Sequence, residues 1–170
     1  AGGACTLELP RTDISGSITP ELIANLKDKK DWKLRKAALD EVDQLLVQAG
    51  KRIQPNTANL LPELRARLAD SNKLLVAQTL HTLATIATAM GPAIERAVKP
   101  MSPAVLATLN DSNKAVRAAA LVMLDAWVAE VGLAAFVPHL SPLLVDLPGV
   151  RRDSLQWVAR HAASPAARAT

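Results

Sequence analysis

Three stretches of the chain repeat one spacing of apolar positions. Trp32–Gly50 reads WKLRKAALDEVDQLLVQAG, Lys73–Gly91 reads KLLVAQTLHTLATIATAMG, and Lys114–Gly132 reads KAVRAAALVMLDAWVAEVG. Leu34, Leu75 and Val116 occupy equivalent places, as do Leu39, Leu80 and Leu121, and Val42, Leu83 and Leu124. Steps of three to five residues keep these side chains on one face of a helix. Each stretch closes on a glycine, and Gly50, Gly91 and Gly132 lie 41 residues apart. A left-handed residue is wanted at that point to end a helix. A shorter fourth copy starts at Val150-Arg151, with Leu155 and Val158 in the matching places.

A second helical pattern precedes each of these, with a proline near its start or middle. The stretches are Thr19-Pro20-Glu21-Leu22, Leu61-Pro62-Glu63-Leu64, Ser102-Pro103-Ala104-Val105 and Ser141-Pro142-Leu143-Leu144. Proline fits a first helical turn, and Thr or Ser before it can cap the helix. Paired helices at this period predict an all-α solenoid of HEAT or armadillo type, with about four helix pairs. The expected boundaries are an approach segment over 1–16, repeats at about 17–50, 51–91, 92–132 and 133–162, and a tail over 163–170. Leu80 and Leu121 are expected in the centre of the core. Pro100 and Pro103 together are expected to kink or split their helix.

Composition narrows the field. Of 170 residues, 49% are apolar but only 2% aromatic, with one Phe, three Trp and no Tyr, and glycine numbers seven. An Ala/Leu/Val core suits closely packed helices and disfavours sandwiches, barrels and glycine-rich nucleotide folds. Cys5 is the single cysteine, so no internal disulfide can form. No apolar run is expected to approach the length that crosses a bilayer, and the first residues lack a charged-then-apolar leader, so a soluble intracellular chain is the expectation. His81, His139 and His161 are scattered without metal-ligand spacing, and no nucleophile sits in a recognisable setting. The chain is therefore expected not to be an enzyme and to need no cofactor or metal.

The turn inside each repeat has its own text: Lys27–Lys33, then Asp70-Ser71-Asn72-Lys73, Asp111-Ser112-Asn113-Lys114, and Asp146–Asp153. In a solenoid equivalent turns align along one edge. Residues 27–36, 70–76, 111–117 and 146–153 hold eleven basic and six acidic residues, against nine and ten elsewhere. The positive excess thus gathers on that edge, where it would draw an acidic partner. The candidate binding residues are Trp32, Lys33, Asn72, Lys73, Asn113, Lys114, Arg151 and Arg152.

Structural readings stand beside these. Trp32 could staple the first repeat, Trp127 and Trp157 are expected in packing, and Asn72 and Asn113 could serve as caps. Arg35 and Arg117 occupy the position of a HEAT ladder, in which an arginine reaches the aspartate of a neighbouring repeat. Asp111, six residues before Arg117, is the expected partner, and Val76 interrupts the ladder in the second repeat.

Leu9-Pro10-Arg11-Thr12-Asp13-Ile14-Ser15, Asp31-Trp32-Lys33-Leu34-Arg35-Lys36, Leu68-Ala69-Asp70-Ser71-Asn72-Lys73 and Ala89-Met90-Gly91-Pro92 together resemble a TOG domain of the microtubule polymerase family, and most closely its fourth. The resemblance covers nearly all of Leu9–Ala162. It implies a HEAT-repeat paddle that binds αβ-tubulin through the loops inside each repeat, in the cytoplasm, on microtubules and the spindle. It also implies that Trp32 matches the family's tubulin-contacting tryptophan. Family members have six helix pairs, so this chain resembles a TOG domain cut short, and it is expected to be monomeric. The competing reading is a generic HEAT adaptor that does not bind tubulin. Nucleic acid ranks below both, because the edge carries one aromatic and interspersed acids, whereas strand binders use several stacking platforms. No membrane partner is expected.

Overall fold

The computed structural model describes residues 10–140 and 148–163, and its regular structure is helical. The helices are α1 (Pro20–Lys27), α2 (Trp32–Gln48), α3 (Leu60–Arg67), α4 (Lys73–Met90), α5 (Glu95–Thr108), α6 (Lys114–Val131) and α7 (Pro148–Ala162). Residues 137–140 are also helical. The shorter helices α1, α3 and α5 pair with the longer α2, α4 and α6, and the long helices stack side by side. This is the expected α-solenoid.

Local signals set the helix ends. Thr19 Oγ1 accepts the Leu22 N–H at 3.1 Å with Pro20 in the first turn of α1. The glycines end α2, α4 and α6 at φ of 60°, 69° and 81°, a region that side chains disfavour. Ser102 is not a cap: it lies inside α5, where its hydroxyl donates to the Val98 carbonyl at 2.6 Å. Ser141-Pro142 lies outside the described residues. Nor do the prolines split α5, which runs unbroken through both Pro100 and Pro103. The carbonyls they deprive of a partner belong to Arg96 and Lys99, both exposed residues, so water can take the place of the missing donor.

Leu39, Leu80, Val42, Leu83 and Leu124 are fully buried, as the shared face requires. Two equivalents depart from it. Leu34 is 41% exposed while Leu75 and Val116 are buried, because the later two have a preceding repeat to cover them. Leu121, expected at the centre of the core, is only half-buried. It borders a cavity of about 190 Å³ between α6 and α7, also lined by Gln156, Trp157 and Arg160.

The aromatic residues of the last repeats do pack. Phe136 lies between Trp127 and Trp157, with ring centroids 6.3 and 5.9 Å away. Trp127 donates its indole N–H to the Leu83 carbonyl at 3.2 Å. Asp125 collects the Trp157 indole, His161 and Arg160, at 2.8, 2.8 and 3.0 Å, and so ties α7 to α6.

The stretch before α1 is tied into the solenoid. Thr12 pairs with Ile53 in a single parallel bridge, Arg11 Nη1 donates to the Ala89 carbonyl at 2.6 Å, and Ile14 is buried in the core. One further expectation needs correcting. The helical run Lys73–Thr108 contains a window of mean hydropathy 1.3 that is long and apolar enough to cross a membrane. Here 61% of that window is buried against the other helices, as the central helix of a solenoid requires.

Candidate functional site

The three described turns inside the repeats are built alike. Each opens with an aspartate whose Oδ1 accepts backbone N–H groups of the turn. Asp28 accepts Lys30 and Asp31 at 2.8 and 2.6 Å, Asp70 accepts Asn72 at 2.9 Å, and Asp111 accepts Asn113 at 2.8 Å. Each ends with a side chain that caps the following long helix. Asp31 accepts the Lys33 N–H at 2.8 Å, Asn72 that of Leu74 at 3.0 Å, and Asn113 that of Ala115 at 2.8 Å. The turns are short and doubly pinned, so they present their neighbours from a rigid base. These bonds hold the Asp28 carboxyl below the usual carboxylate range, chiefly through the Asp31 and Lys30 N–H groups.

Capping places equivalent residues in the first turn of each long helix: Trp32, Lys73 and Lys114 first, then Lys33, Leu74 and Ala115. Trp32 is 42% exposed, and its indole N–H finds no acceptor among the described residues. Lys33 and Lys114 are exposed without an ion-pair partner among them. Asn72 and Asn113 are half-buried, their side-chain oxygens committed to the caps. Arg152 is exposed on α7, while the Arg151 side chain lies outside the described residues.

Leu74 is the residue that reading the sequence missed. It is 75% exposed, the most exposed large apolar side chain described, directly beside Lys73. The signal was present: Leu75, Thr79, Leu80 and Leu83 keep the helical period and Leu74 falls outside it.

Of the ladder, Arg35 makes the expected reach to a neighbouring repeat, and Arg117 does not reach the Asp111 carboxylate. Arg35 grips Asp70 of the next repeat, and Arg67 joins the same carboxylate at 3.1 Å. Arg117 Nη1 donates instead to the backbone carbonyls of Asp111 and Ser112 at 2.7 and 3.0 Å. Arg35 uses its own Nη1 likewise on the Asp28 carbonyl, at 2.8 Å. An arginine at this position therefore clamps its own turn, and an aspartate is gripped by the repeat before it. With Val76 in the arginine position, Lys73 takes over and pairs with Asp111 at 2.7 Å. That bond, with the Asn113 N–H second, keeps the Asp111 carboxyl below its ordinary value.

Among the described residues no group of His, Cys, Asp or Glu is placed to hold a metal ion. What the edge offers is a row of exposed cations interrupted by Trp32 and Leu74, on a backbone that cannot rearrange cheaply. Such a row suits an extended protein surface better than a small molecule.

No family model matches the chain. It is 44% identical over 160 residues to Protein MOR1 of Oryza sativa subsp. japonica, covering 92% of this chain and 8% of that protein. It is 33% identical over 156 residues to Protein mini spindles of Drosophila melanogaster, covering 89% of this chain and 7% of that one. The chain thus corresponds to a small segment of much longer relatives. Its fold matches a chain from the solved structure "Structural Basis of Microtubule Plus End Tracking by XMAP215, CLIP-170 and EB1" with a TM-score of 0.81 at 24% identity, covering 90% of this chain and 64% of that one.

Proposed function

We propose that this chain, a TOG-type HEAT solenoid homologous to one segment of the MOR1 and mini spindles proteins, is a tubulin-binding module of a microtubule regulator. It works in the cytoplasm on the microtubule cytoskeleton, as a binding surface rather than a catalyst. One observation carries the reading: Trp32 and Leu74, both exposed, stand among Lys33, Lys73 and Lys114 on one edge of capped, rigid turns. Homology to the MOR1 and mini spindles proteins, with the fold shared with a chain from a structure of microtubule plus end tracking, supports tubulin as the occupant of that edge.

The two residue classes have different tasks. Trp32 and Leu74 supply apolar area at small entropic cost, the usual make-up of a binding hot spot. Lys33 and Lys114 steer an acidic surface and each contributes at most about 1 kcal/mol. Lys73 already neutralises Asp111, so its share in binding is smaller than its position suggested.

The test is co-elution with unpolymerised tubulin in size exclusion at low and moderate salt, with a charge-matched DNA duplex run in parallel. Trp32→Ala should keep the helical circular dichroism and melting temperature and lose most of the binding. If Trp32→Ala unfolds the first repeat, the tryptophan is a staple. If it folds and binds tubulin undiminished, the partner sits elsewhere. A chain that binds no tubulin at either salt is a HEAT adaptor for another protein.

A further inference from the structure

A second group of cations lies outside the turns inside the repeats, where α3 packs on α5. By sequence position, the residues outside those turns carry slightly more acid than base. Folding separates them. Asp40, Asp43 and Asp125 go to the long helices, where they bond Gln78, Thr82 and Trp157. Arg65, Arg96 and Lys99 come together where α3 meets α5.

Between these helices and the α2–α3 connection runs an open groove of about 630 Å³, lined by residues 54–58, Leu61, Pro62 and Arg96. No acidic side chain lines it. Of the acids on α3 and α5, Glu63 is paired with Lys27 at 3.0 Å, and Glu95, next to Arg96 in sequence, is exposed with no ion-pair partner among the described residues. The groove is also held in shape. Arg96 donates to the Pro55 carbonyl across it, and Arg65 donates to the Pro100 carbonyl at 3.2 Å. Each arginine thereby spends one of five N–H donors on positioning and keeps the others for an anion. Asn56 accepts the Ala58 N–H at 3.2 Å and fixes the connection where Ala58 takes a φ of 44°.

We propose that this groove binds a short acidic peptide segment, with Arg96, Lys99 and Arg65 taking its carboxylates and Pro55, Leu61 and Pro62 taking one apolar side chain. Two features favour a peptide: the cations are few, with Arg65 and Lys99 one helical turn beyond Pro62 and Arg96, and the groove sets Pro55, Ala58, Leu61 and Pro62 beside the polar Gln54, Asn56 and Thr57. Pre-positioned arginines lower the entropic cost of gripping a carboxylate. Neither Trp32 nor Leu74 lines the groove, so a peptide there and tubulin on the edge of the turns can bind together.

The test is fluorescence polarisation with a fluorescein-labelled short oligoglutamate peptide bearing one central leucine, against its glutamine counterpart. The glutamate peptide should bind, more weakly as salt rises, and the glutamine peptide should not. Arg96→Glu/Lys99→Glu should weaken binding about tenfold or more, with unchanged circular dichroism and tubulin co-elution. Lys99→Glu alone, at a side chain with no structural bond among the described residues, should give a smaller loss in the same direction. The proposal fails if the double variant binds the peptide as well as the parent, or if Lys33→Glu/Lys114→Glu removes binding instead. It also fails if a duplex of equal charge displaces the peptide at equal concentration. Loss of tubulin binding with peptide binding intact would count against the tubulin edge and leave the groove standing.

Discussion

Arg35 and Asp70 form a two-pronged ion pair across the first repeat junction, with Nε to Oδ2 at 2.8 Å and Nη2 to Oδ1 at 3.1 Å. Their side chains are only 7% and 2% exposed. Removing one partner of such a buried pair leaves the other charge stranded, at a cost of about 3–5 kcal/mol. Asp70→Asn should therefore lower the urea midpoint strongly while keeping an acceptor for the Asn72 N–H. Arg35→Met/Asp70→Asn should be less destabilised than the sum of the singles. Additive losses would mean that the pair is not a unit.

One junction later Lys73 and Asp111 do the same work less well, because the pair is partly exposed. Lys73→Met should cost at most about 1 kcal/mol at neutral pH. A carboxyl lowered in the folded state stabilises the fold above its unfolded pKa, and that gain is lost as pH falls through the folded value. Stability of the parent should therefore fall further on acidification than that of Lys73→Met, read from urea midpoints at neutral pH and at about pH 3. Parallel pH profiles would remove Asp111 from the account.

Core truncations should separate two positions that the repeat makes equivalent. Leu80 is fully buried, so Leu80→Ala should cost about 2–5 kcal/mol. Leu121→Ala should cost clearly less, since Leu121 is half-buried beside a cavity. Equal shifts in melting temperature would mean that α7 closes over Leu121 in solution.

Gly91 and Gly50 should likewise differ. Both have positive φ, but a Cβ on Gly91 would come within 2.8 Å of Arg11 Nη2, whereas Gly50 faces open space. Gly91→Ala should destabilise more than Gly50→Ala, whose cost is about 1 kcal/mol from backbone strain alone. Adding Arg11→Ala should recover only part of the difference, because it also removes the bond to the Ala89 carbonyl. Identical thermal shifts for the two alanine variants would show that Arg11 yields freely.

Trp32 and Leu74 test the edge itself. Leu74→Ala should leave the melting temperature unchanged, since the side chain is 75% exposed, and weaken tubulin co-elution. Wild-type binding by Leu74→Ala would restrict the apolar contact to Trp32.

Local rules were enough to read the solenoid. Apolar spacing, capping residues and terminal glycines act within a few residues, so they are written into contiguous sequence and recur with each copy. The caps at Asp31, Asn72 and Asn113 and the positive φ of Gly50, Gly91 and Gly132 follow from that. What tertiary structure decided were the contacts between repeats. Lys73 could be seen as a cation, yet only the stacking of one turn on the next put Asp111 beside it. Leu34 and Leu121 share a pattern with buried residues, and their exposure depends on which neighbour covers them. Arg65 is far along the chain from Arg96 and Lys99, and the three meet beside one groove because α3 and α5 pack together. A period specifies which face of a helix turns inward; it does not specify what stands opposite.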